Sequence, residues 1–189
     1  MKKVLVLVDV QNDFIDGSLG TAEAQAVVPK IVEKINNHED KGNTIILFTK
    51  DTHYDWYEQT FEGKRLPVRH CIENTPGWSI NREIESAVRN NRFLTYSSGE
   101  IINSRVYKHT FGSKTLQDWL VHISPIVDEI EFIGLCTDIC VISNALMARM
   151  TLPDTKITVD ASCCAGSTPE KHIAALEVMK SCLIDVINE

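Results

Sequence analysis

Three polar residues that could take part in nucleophilic chemistry each stand at or near the end of a short apolar run. Asp9 follows the run VLVLV, Lys108 ends the run RVYK, and Cys140 lies just beyond the run EFIG. If these runs are neighbouring parallel strands, their ends meet at one edge of a sheet. A thiol attacks a carbonyl carbon once a base accepts its proton, and a nearby cation lowers the thiol pKa. The pattern therefore predicts a cysteine nucleophile with a carboxylate and an amine beside it.

Position distinguishes one cysteine from the rest of the six. They are Cys71, Cys136, Cys140, Cys163, Cys164 and Cys182. Cys140 falls in the first turn of an apolar helix that Thr137 or Asp138 would cap, where free backbone N–H groups favour a thiolate and bind an oxyanion. The alternative is a small residue that packs inside that helix, and position alone leaves both open. The other five are predicted to be reduced packing residues.

A second candidate site follows the apolar run TIILFT. Asp51 and His53 are two residues apart, and such residues of an extended segment point to the same side. Carboxylate and imidazole groups suit zinc, iron or manganese, and His70 and Glu62 would complete the ligand set. The alternative is that Asp51 and His53 only form hydrogen bonds within a loop.

Length and charge limit the classes of protein to which the chain can belong. It has 189 residues and a net charge of −7, so we expect one domain over residues 1–189 and neither nucleic acid nor a membrane as a partner. The amino-terminal residues lack a signal-peptide pattern and no apolar run is long enough to cross a membrane, which predicts a cytoplasmic protein. A small molecule or another subunit is the expected partner.

Alternating strands and helices would position these residues. Predicted strands cover residues 4–8, 44–49, 105–108, 131–134, 156–159 and 183–187. Predicted helices cover residues 28–37, 84–88, 116–120, 138–150 and 168–180, with Pro29 and Pro169 near the first position of their helices. This order is typical of a parallel sheet covered on both faces. Residues 51–79 and 93–113 are expected to be loops over the carboxyl edge of the sheet, where such sheets bind ligands.

Five stretches together resemble the isochorismatase-like cysteine hydrolase superfamily, in particular its nicotinamidase-related branch. They are VLVLVDVQNDF at 4–14, TKDTH at 49–53, LPVRHCIENTPGW at 66–78, VYKHTFGS at 106–113 and GLCTDICV at 134–141. They span most of the chain in the order found in that family. The resemblance implies an α/β fold, namely a three-layer αβα Rossmann-like domain with a six-stranded, mainly parallel sheet.

The resemblance also implies a mechanism. Cys140 would attack the carbonyl carbon of a small amide similar to nicotinamide, Asp9 would carry the thiol proton to the leaving amine, and Lys108 would hold the thiolate. The backbone N–H groups of Cys136 and Cys140 would form the oxyanion hole, after a cis peptide bond between Leu135 and Cys136. Water would then hydrolyse the thioester and release the acid.

Further site residues follow from the same resemblance. The ligands of a divalent metal ion, zinc first with iron or manganese as alternatives, map onto Asp51, His53 and His70. Gln59 stands near the position of a further histidine ligand, which makes Glu62 the expected substitute. Phe14 and Phe111 would flank the substrate ring, although the run LPVR replaces an aromatic residue that is usual in the family. A homo-oligomer is expected by analogy.

Two other functions remain open at this point. Some relatives in the superfamily hydrolyse the vinyl ether of isochorismate without a nucleophilic cysteine at this position, and the presence of Cys140 argues against that reaction. The other alternative is a binding protein that has kept the fold and lost turnover. An intact set of Asp9, Lys108 and Cys140 argues against it as well.

Overall fold

Short runs of aliphatic and β-branched residues form the strands of one six-stranded sheet. The computed structural model describes residues 2–91, 93 and 105–189. The strands are β1 (Lys3–Val8), β2 (Thr44–Asp51), β3 (Arg105–Lys108), β4 (Glu129–Leu135), β5 (Lys156–Ala165) and β6 (Asp185–Ile187). Their order in the sheet is β3-β2-β1-β4-β5-β6, and each of these pairings is parallel. The predicted α/β fold is confirmed.

Helices cover both faces of this sheet. They are α1 (Asn12–Ile15), α2 (Ala22–Asn37), α3 (Arg82–Asn90), α4 (Lys114–Ile123), α5 (Ile142–Thr151) and α6 (Pro169–Ser181). Side chains alternate along β1, so that Val4, Val6 and Val8 pack with α4, α5 and α6, whereas Leu5 and Leu7 pack with α1, α2 and α3. The two apolar cores on opposite faces explain the near-continuous apolar sequence of the central strands.

Several predicted element boundaries differ from the structure, and the start of α2 and the end of β5 differ most. Helix α2 begins six residues before the predicted start at Val28, because the Thr21 hydroxyl accepts a hydrogen bond from the backbone N–H of Ala24 and caps the helix there. Pro29 therefore lies inside the helix and not near its first position. Strand β5 continues past residue 159 to Ala165, since the polar residue Asp160 inside it is buried and paired with a lysine of α2.

The strand order reverses between β1 and β4, and a crevice opens at the carboxyl ends of such a strand pair. Asp9 directly follows β1, and one turn of π-helix, Thr137–Val141, follows β4. The two strands approach closely here: a Cβ on Gly134, whose φ is +120°, would clash with the carbonyl oxygen of Val8. Glycine at this position therefore lets the ends of β1 and β4 meet.

The two predicted loops behave differently. Residues 52–79 start at the carboxyl edge of the sheet, where the backbone N–H of Thr52 donates to the carbonyl oxygen of Lys108. An isolated bridge joins His53 to Ile72 within this segment, and a second joins Gln11 to Ile80 just after it. The second predicted loop, residues 93–113, contains β3, and its residues 94–104 lie outside the described residues. Among the described residues, none of the helices combines the length and the apolar composition needed to span a membrane.

The six cysteines are all free thiols, but they are not all packing residues. Cys71, Cys163 and Cys164 are buried, and Cys136 is partly buried. Cys182 is exposed at the end of α6, so its predicted packing role is wrong. It directly follows the last residue of α6, Ser181.

Candidate active site

The side chain of Lys108 connects the ends of three strands. Its Nζ atom lies 2.6 Å from Oδ2 of Asp9, 3.5 Å from Sγ of Cys140 and 3.4 Å from Oδ1 of Asp51. All four side chains are buried. The sequence prediction that Asp9, Lys108 and Cys140 meet at the carboxyl edge of the sheet therefore agrees with their positions.

A threonine holds the carboxylate of Asp9 in one orientation. The hydroxyl of Thr49 donates to Oδ1 of Asp9 at 2.7 Å and also accepts the backbone N–H of Asp9 at 3.1 Å. Asp9 has a φ of 46°, in the left-handed region that non-glycine residues seldom adopt. This backbone and the Thr49 contact leave Oδ2 of Asp9 for Lys108. The sequence reasoning missed Thr49, although its position two residues before Asp51 puts it on the same face of β2.

Burial and charge set the protonation of the three groups. Burial, partly opposed by the charge of Lys108, raises the pKa of Asp9. Burial and then the charge of Asp9 hold the pKa of the Cys140 thiol well above its ordinary value, although Lys108 acts in the opposite direction. Lys108 therefore acts on the thiol pKa in the expected direction, but burial and Asp9 together outweigh it. Burial also disfavours the ammonium of Lys108, yet Asp9, Cys140 and Asp51 hold its pKa well above the ordinary value.

Cys140 lies in the π-helical turn that follows β4. The peptide bond between Leu135 and Cys136, at the start of the turn, is cis, as the family resemblance implied. The expected cap is absent from this turn: the carboxylate of Asp138 accepts hydrogen bonds from the backbone N–H and the hydroxyl of Ser167 at 2.7 Å each. The hydroxyl of Thr137 contacts Nδ1 of His172 at 2.8 Å. Both predicted capping side chains therefore anchor the turn to the start of α6.

A cluster of metal-ligating groups lies next to Lys108. One ligand atom each from Asp51, His53 and His70 lies within 4.8 Å of the others, and all three residues are buried. Nδ1 of His70 contacts the carbonyl oxygen of Val68 at 2.8 Å, which directs Nε2 towards the cluster. Oε1 of Glu62 lies 3.7 Å from Nε2 of both histidines. The donor set fits a divalent cation that accepts nitrogen and oxygen ligands.

The electrostatics of Asp51 agree with that fit. Burial opposes its ionisation, but the charge of Lys108 and hydrogen bonds from His53 and His70 hold its pKa well below the usual range. The carboxylate is therefore ionised, as a metal ligand must be. The side chain of Gln11 holds the backbone of Asp51 in position. Its amide donates to the carbonyl oxygen of Asp51 and accepts a hydrogen bond from the N–H group of Asp51.

A cavity of about 340 Å³ opens over the thiol of Cys140. Phe14 and Phe111, the two predicted aromatic walls, both line it, as do Leu66 and Cys136. Phe14 is buried, whereas Phe111 is 48% exposed and so forms the outer wall. Mostly apolar walls with a few polar groups at one end are typical of a small-molecule site.

Comparison with known proteins identifies the family. The isochorismatase domain family matches residues 3–189, so the chain belongs to the isochorismatase family. The nicotinamidase/pyrazinamidase of Mycobacterium tuberculosis is 27% identical over 199 residues, covering 98% of this chain and 98% of the relative.

Solved structures agree with this assignment. The crystal structure of the pyrazinamidase of Pyrococcus horikoshii in complex with zinc has a TM-score of 0.74 and 25% sequence identity, and covers 100% of both chains. The pyrazinamidase/nicotinamidase of Streptococcus mutans has a TM-score of 0.79 and 25% identity, and covers 98% of this chain and 100% of its own. The predicted nicotinamidase-related branch is confirmed, and so is the class of hydrolases that act on C–N bonds.

Proposed function

We propose that the protein hydrolyses a small carboxamide similar to nicotinamide through a thioester on Cys140. The observation that supports this most directly is the contact of the Lys108 ammonium with both the Asp9 carboxylate and the Cys140 sulfur, beneath an apolar cavity. The names of the relatives support the substrate class, since they are nicotinamidases and pyrazinamidases.

Formation of the thioester starts with a proton transfer. Asp9 accepts the proton of the Cys140 thiol, and the sulfur forms a bond to the carbonyl carbon of the amide. The electron pair of the carbonyl double bond moves to the oxygen, where backbone N–H groups of Cys136 and Cys140 bind the negative charge. The raised pKa of Asp9 suits this role, because it makes the carboxylate a stronger base near neutral pH.

Release of ammonia follows from the same carboxyl group. Asp9 donates its proton to the amide nitrogen while the C–N bond breaks, and the carbonyl re-forms as a thioester. Lys108 keeps its positive charge throughout and so stabilises whichever of Asp9 and Cys140 carries the negative charge.

Hydrolysis of the thioester uses Asp9 in the same way. Asp9 accepts a proton from water as the oxygen attacks the carbonyl carbon. The C–S bond then breaks, and Cys140 regains its proton from Asp9 while the acid leaves. One carboxylate thus serves as base and acid in both halves of the reaction.

The substrate and the metal occupy neighbouring parts of the proposed site. Phe14 and Phe111 would contact the two sides of a planar ring whose carboxamide reaches Cys140. Asp51, His53 and His70, with Glu62 beside them, would hold a divalent ion, for which we propose zinc; when bound, it supplies a positive charge that binds water or a ring nitrogen. The zinc complex of the Pyrococcus horikoshii pyrazinamidase supports this choice.

Ammonia release from nicotinamide and pyrazinamide tests the proposal. Wild-type protein should release ammonia, Cys140→Ala should release none above background, and Cys163→Ala, the matched change at another buried thiol, should behave like wild type. Activity that survives in Cys140→Ala would exclude the thioester. Hydrolysis of isochorismate by the Cys140→Ala variant would favour the vinyl-ether reaction, and binding of amides without turnover by wild type would favour a silent binding protein.

Three broader expectations belong to this proposal. Residues 1–189 would act as a single catalytic domain, the protein would be a homo-oligomer, and it would work in the cytoplasm. Light scattering after size exclusion tests the second expectation, because a single-chain mass would contradict it.

A further inference from the structure

The side chain of Asn144 forms hydrogen bonds to three backbone groups around the candidate site. Its Oδ1 atom accepts the N–H of Ser113 at 2.9 Å. Its Nδ2 atom donates to the carbonyl oxygens of Cys140 at 2.8 Å and of Phe111 at 3.1 Å. The residue is fully buried.

These contacts determine the orientation of the amide. A primary amide has one carbonyl acceptor and two N–H donors. Here the acceptor meets an N–H group and the donors meet two carbonyl groups. In the reverse orientation, the Asn144 carbonyl would face a backbone carbonyl and its NH₂ group would face a backbone N–H. A fully satisfied buried amide is rigid, because each bond that breaks leaves a buried polar group unpaired.

Asn144 lies one helical turn after Cys140, at the point where the π-helical turn passes into α5. Its bond to the carbonyl oxygen of Cys140 therefore ties down the turn that carries the nucleophile. Its other two bonds hold the segment that runs from Phe111 to Ser113. That segment begins just after Lys108 and includes the outer wall of the cavity.

We propose that Asn144 is a positioning residue that keeps the Phe111 wall in register with the Cys140 nucleophile. This inference rests on the proposed amide hydrolysis. Asn144 acts through Phe111 and the backbone of Cys140, and touches neither the substrate nor the thiol. Asn144 thereby determines how firmly the site holds the aromatic ring of the substrate while the carboxamide of the substrate meets the Cys140 sulfur. A small displacement of the substrate from that geometry slows an enzyme strongly.

Gln117 supplies a matched control. It is a second buried amide between α4 and α5, 3% exposed, and its Nε2 atom donates to the backbone carbonyl oxygen of Asn144 at 3.3 Å. Its Oε1 atom accepts the hydroxyl of Thr151 at 3.4 Å, towards the far end of α5. Loss of Gln117 therefore weakens the packing of the same two helices without removing the bonds to Cys140 and Phe111.

The kinetic experiment compares Asn144→Ala, Gln117→Ala, Phe111→Ala and the double variant Asn144→Ala/Phe111→Ala. We expect Asn144→Ala to raise KM for nicotinamide about 10-fold. Gln117→Ala should leave KM unchanged. In the Phe111→Ala background, adding Asn144→Ala should no longer raise KM. An unchanged KM in folded Asn144→Ala, an equal rise in Gln117→Ala, or the same rise with and without Phe111 would each overturn the proposal.

Hydrogen exchange separates this inference from the proposed function. The backbone N–H of Ser113 should exchange faster in Asn144→Ala than in wild type and should be unaffected in Gln117→Ala. If wild type hydrolyses no amide, the proposed function fails, but hydrogen exchange still tests whether Asn144 holds the segment from Phe111 to Ser113. Unchanged exchange at Ser113 in Asn144→Ala would overturn that positioning role. If Asn144→Ala does not fold, Asn144→Asp, which keeps the acceptor and the shape but loses the amide donors, is measured in the same way, with a raised KM expected and an unchanged KM contradicting the proposal.

Discussion

Two lysines of this protein, Lys108 (buried) and Lys34 (partly buried), each lie between two carboxylates, yet of these two only Lys108 contacts the sulfur of a cysteine. Lys108 contacts Asp9 and Asp51 at the carboxyl edge of the sheet, and the sulfur of Cys140 lies 3.5 Å from its Nζ atom. Cys140 and Asp51 both line the cavity.

The second lysine, Lys34 of α2, lies over the strands β4 and β5 of the sheet. Its Nζ atom lies 2.6 Å from Glu131 and 2.7 Å from Asp160. Asp160 also accepts hydrogen bonds from Ser162 and Asn188. Burial disfavours the ammonium, but the charges of Glu131 and Asp160 hold the pKa of Lys34 above its ordinary value.

The difference between the two clusters lies in what adjoins the charges. Cys163, next to the Lys34 cluster, is embedded in β5 and packs in the core, and burial followed by the charge of Asp160 raises the pKa of its thiol to about 11. The charges around Lys34 pair with one another, whereas those around Lys108 also contact the Cys140 sulfur, beneath the cavity lined by Phe14 and Phe111, and lie beside the cluster of Asp51, His53 and His70. Buried charge alone does not make a site, and perturbed pKa values point to function only together with access.

The largest expected difference in kcat/KM is between two variants that each replace one carboxylate, Asp9 in the Lys108 cluster and Asp160 in the Lys34 cluster. Asp9→Asn should lower kcat/KM by about 10³-fold or more, because the proton carrier is lost. Asp160→Asn should leave kcat/KM within about 2-fold while lowering stability, since it only loses a structural ion pair. Initial rates of ammonia release measure both variants, and equal losses in the two would contradict the distinction between the clusters.

Removal of a proposed metal ligand is expected to have the next largest effect. His70→Ala should weaken zinc binding by about 100-fold or more, and a chelator should reduce the activity of wild type reversibly. His38→Ala, at a histidine that contacts Thr44 on the Lys34 side, is the control and should bind zinc normally. Metal analysis after dialysis measures the stoichiometry; full zinc content in His70→Ala would show that the cluster is not the metal site.

Loss of the Lys34 charge should affect stability and not catalysis. Lys34→Met leaves Glu131 and Asp160 facing each other, and the free energy of unfolding should fall by about 2 kcal/mol, less than for a fully buried pair because Lys34 is 18% exposed. Urea unfolding measures this change, and kcat/KM measured on the folded variant should match wild type. A large loss of activity at unchanged stability would mean that the two clusters are coupled.

The smallest expected effect is a pH dependence from His172, which contacts the nucleophile turn through Thr137. Burial lowers the pKa of His172 below its ordinary value of 6.5. Below pH 6.5 the His172 ring therefore binds a proton more readily in the unfolded chain than in the folded protein. The contribution of His172 to stability is full above pH 6.5 and falls as the pH decreases below that value. His172→Gln should reduce this loss by less than about 1 kcal/mol, because the ring is only partly buried. Thermal unfolding at pH 7 and pH 5 checks it, and an unchanged difference between the two pH values would contradict the assignment.

The sequence predicted the convergence of Asp9, Lys108 and Cys140 better than it predicted the groups that orient them. Asp9, Lys108 and Cys140 were accessible to sequence reasoning because each stands at or just beyond the end of a strand, and strand order then brings them together. Thr49 and Asn144 were not, because their importance depends on which backbone atoms lie opposite them in the folded chain.

Local rules also failed where tertiary contacts compete with them. Thr137 and Asp138 have side chains suited to capping, yet they contact His172 and Ser167 at the start of α6. Asp160 looked like the end of a strand, but its pairing with Lys34 allows β5 to continue. Such partners come from distant parts of the chain, and single-sequence patterns do not contain them.

The most direct test of the central claim is mass spectrometry of the protein quenched with acid during turnover of nicotinamide. The mechanism predicts that the peptide containing Cys140 gains the mass of one nicotinoyl group in place of the thiol hydrogen, that fragmentation locates the adduct on Cys140, and that the adduct disappears when substrate is exhausted. Turnover by wild type without any such adduct, or an adduct located on Cys136 or Cys163, would contradict the assignment of Cys140 as the nucleophile.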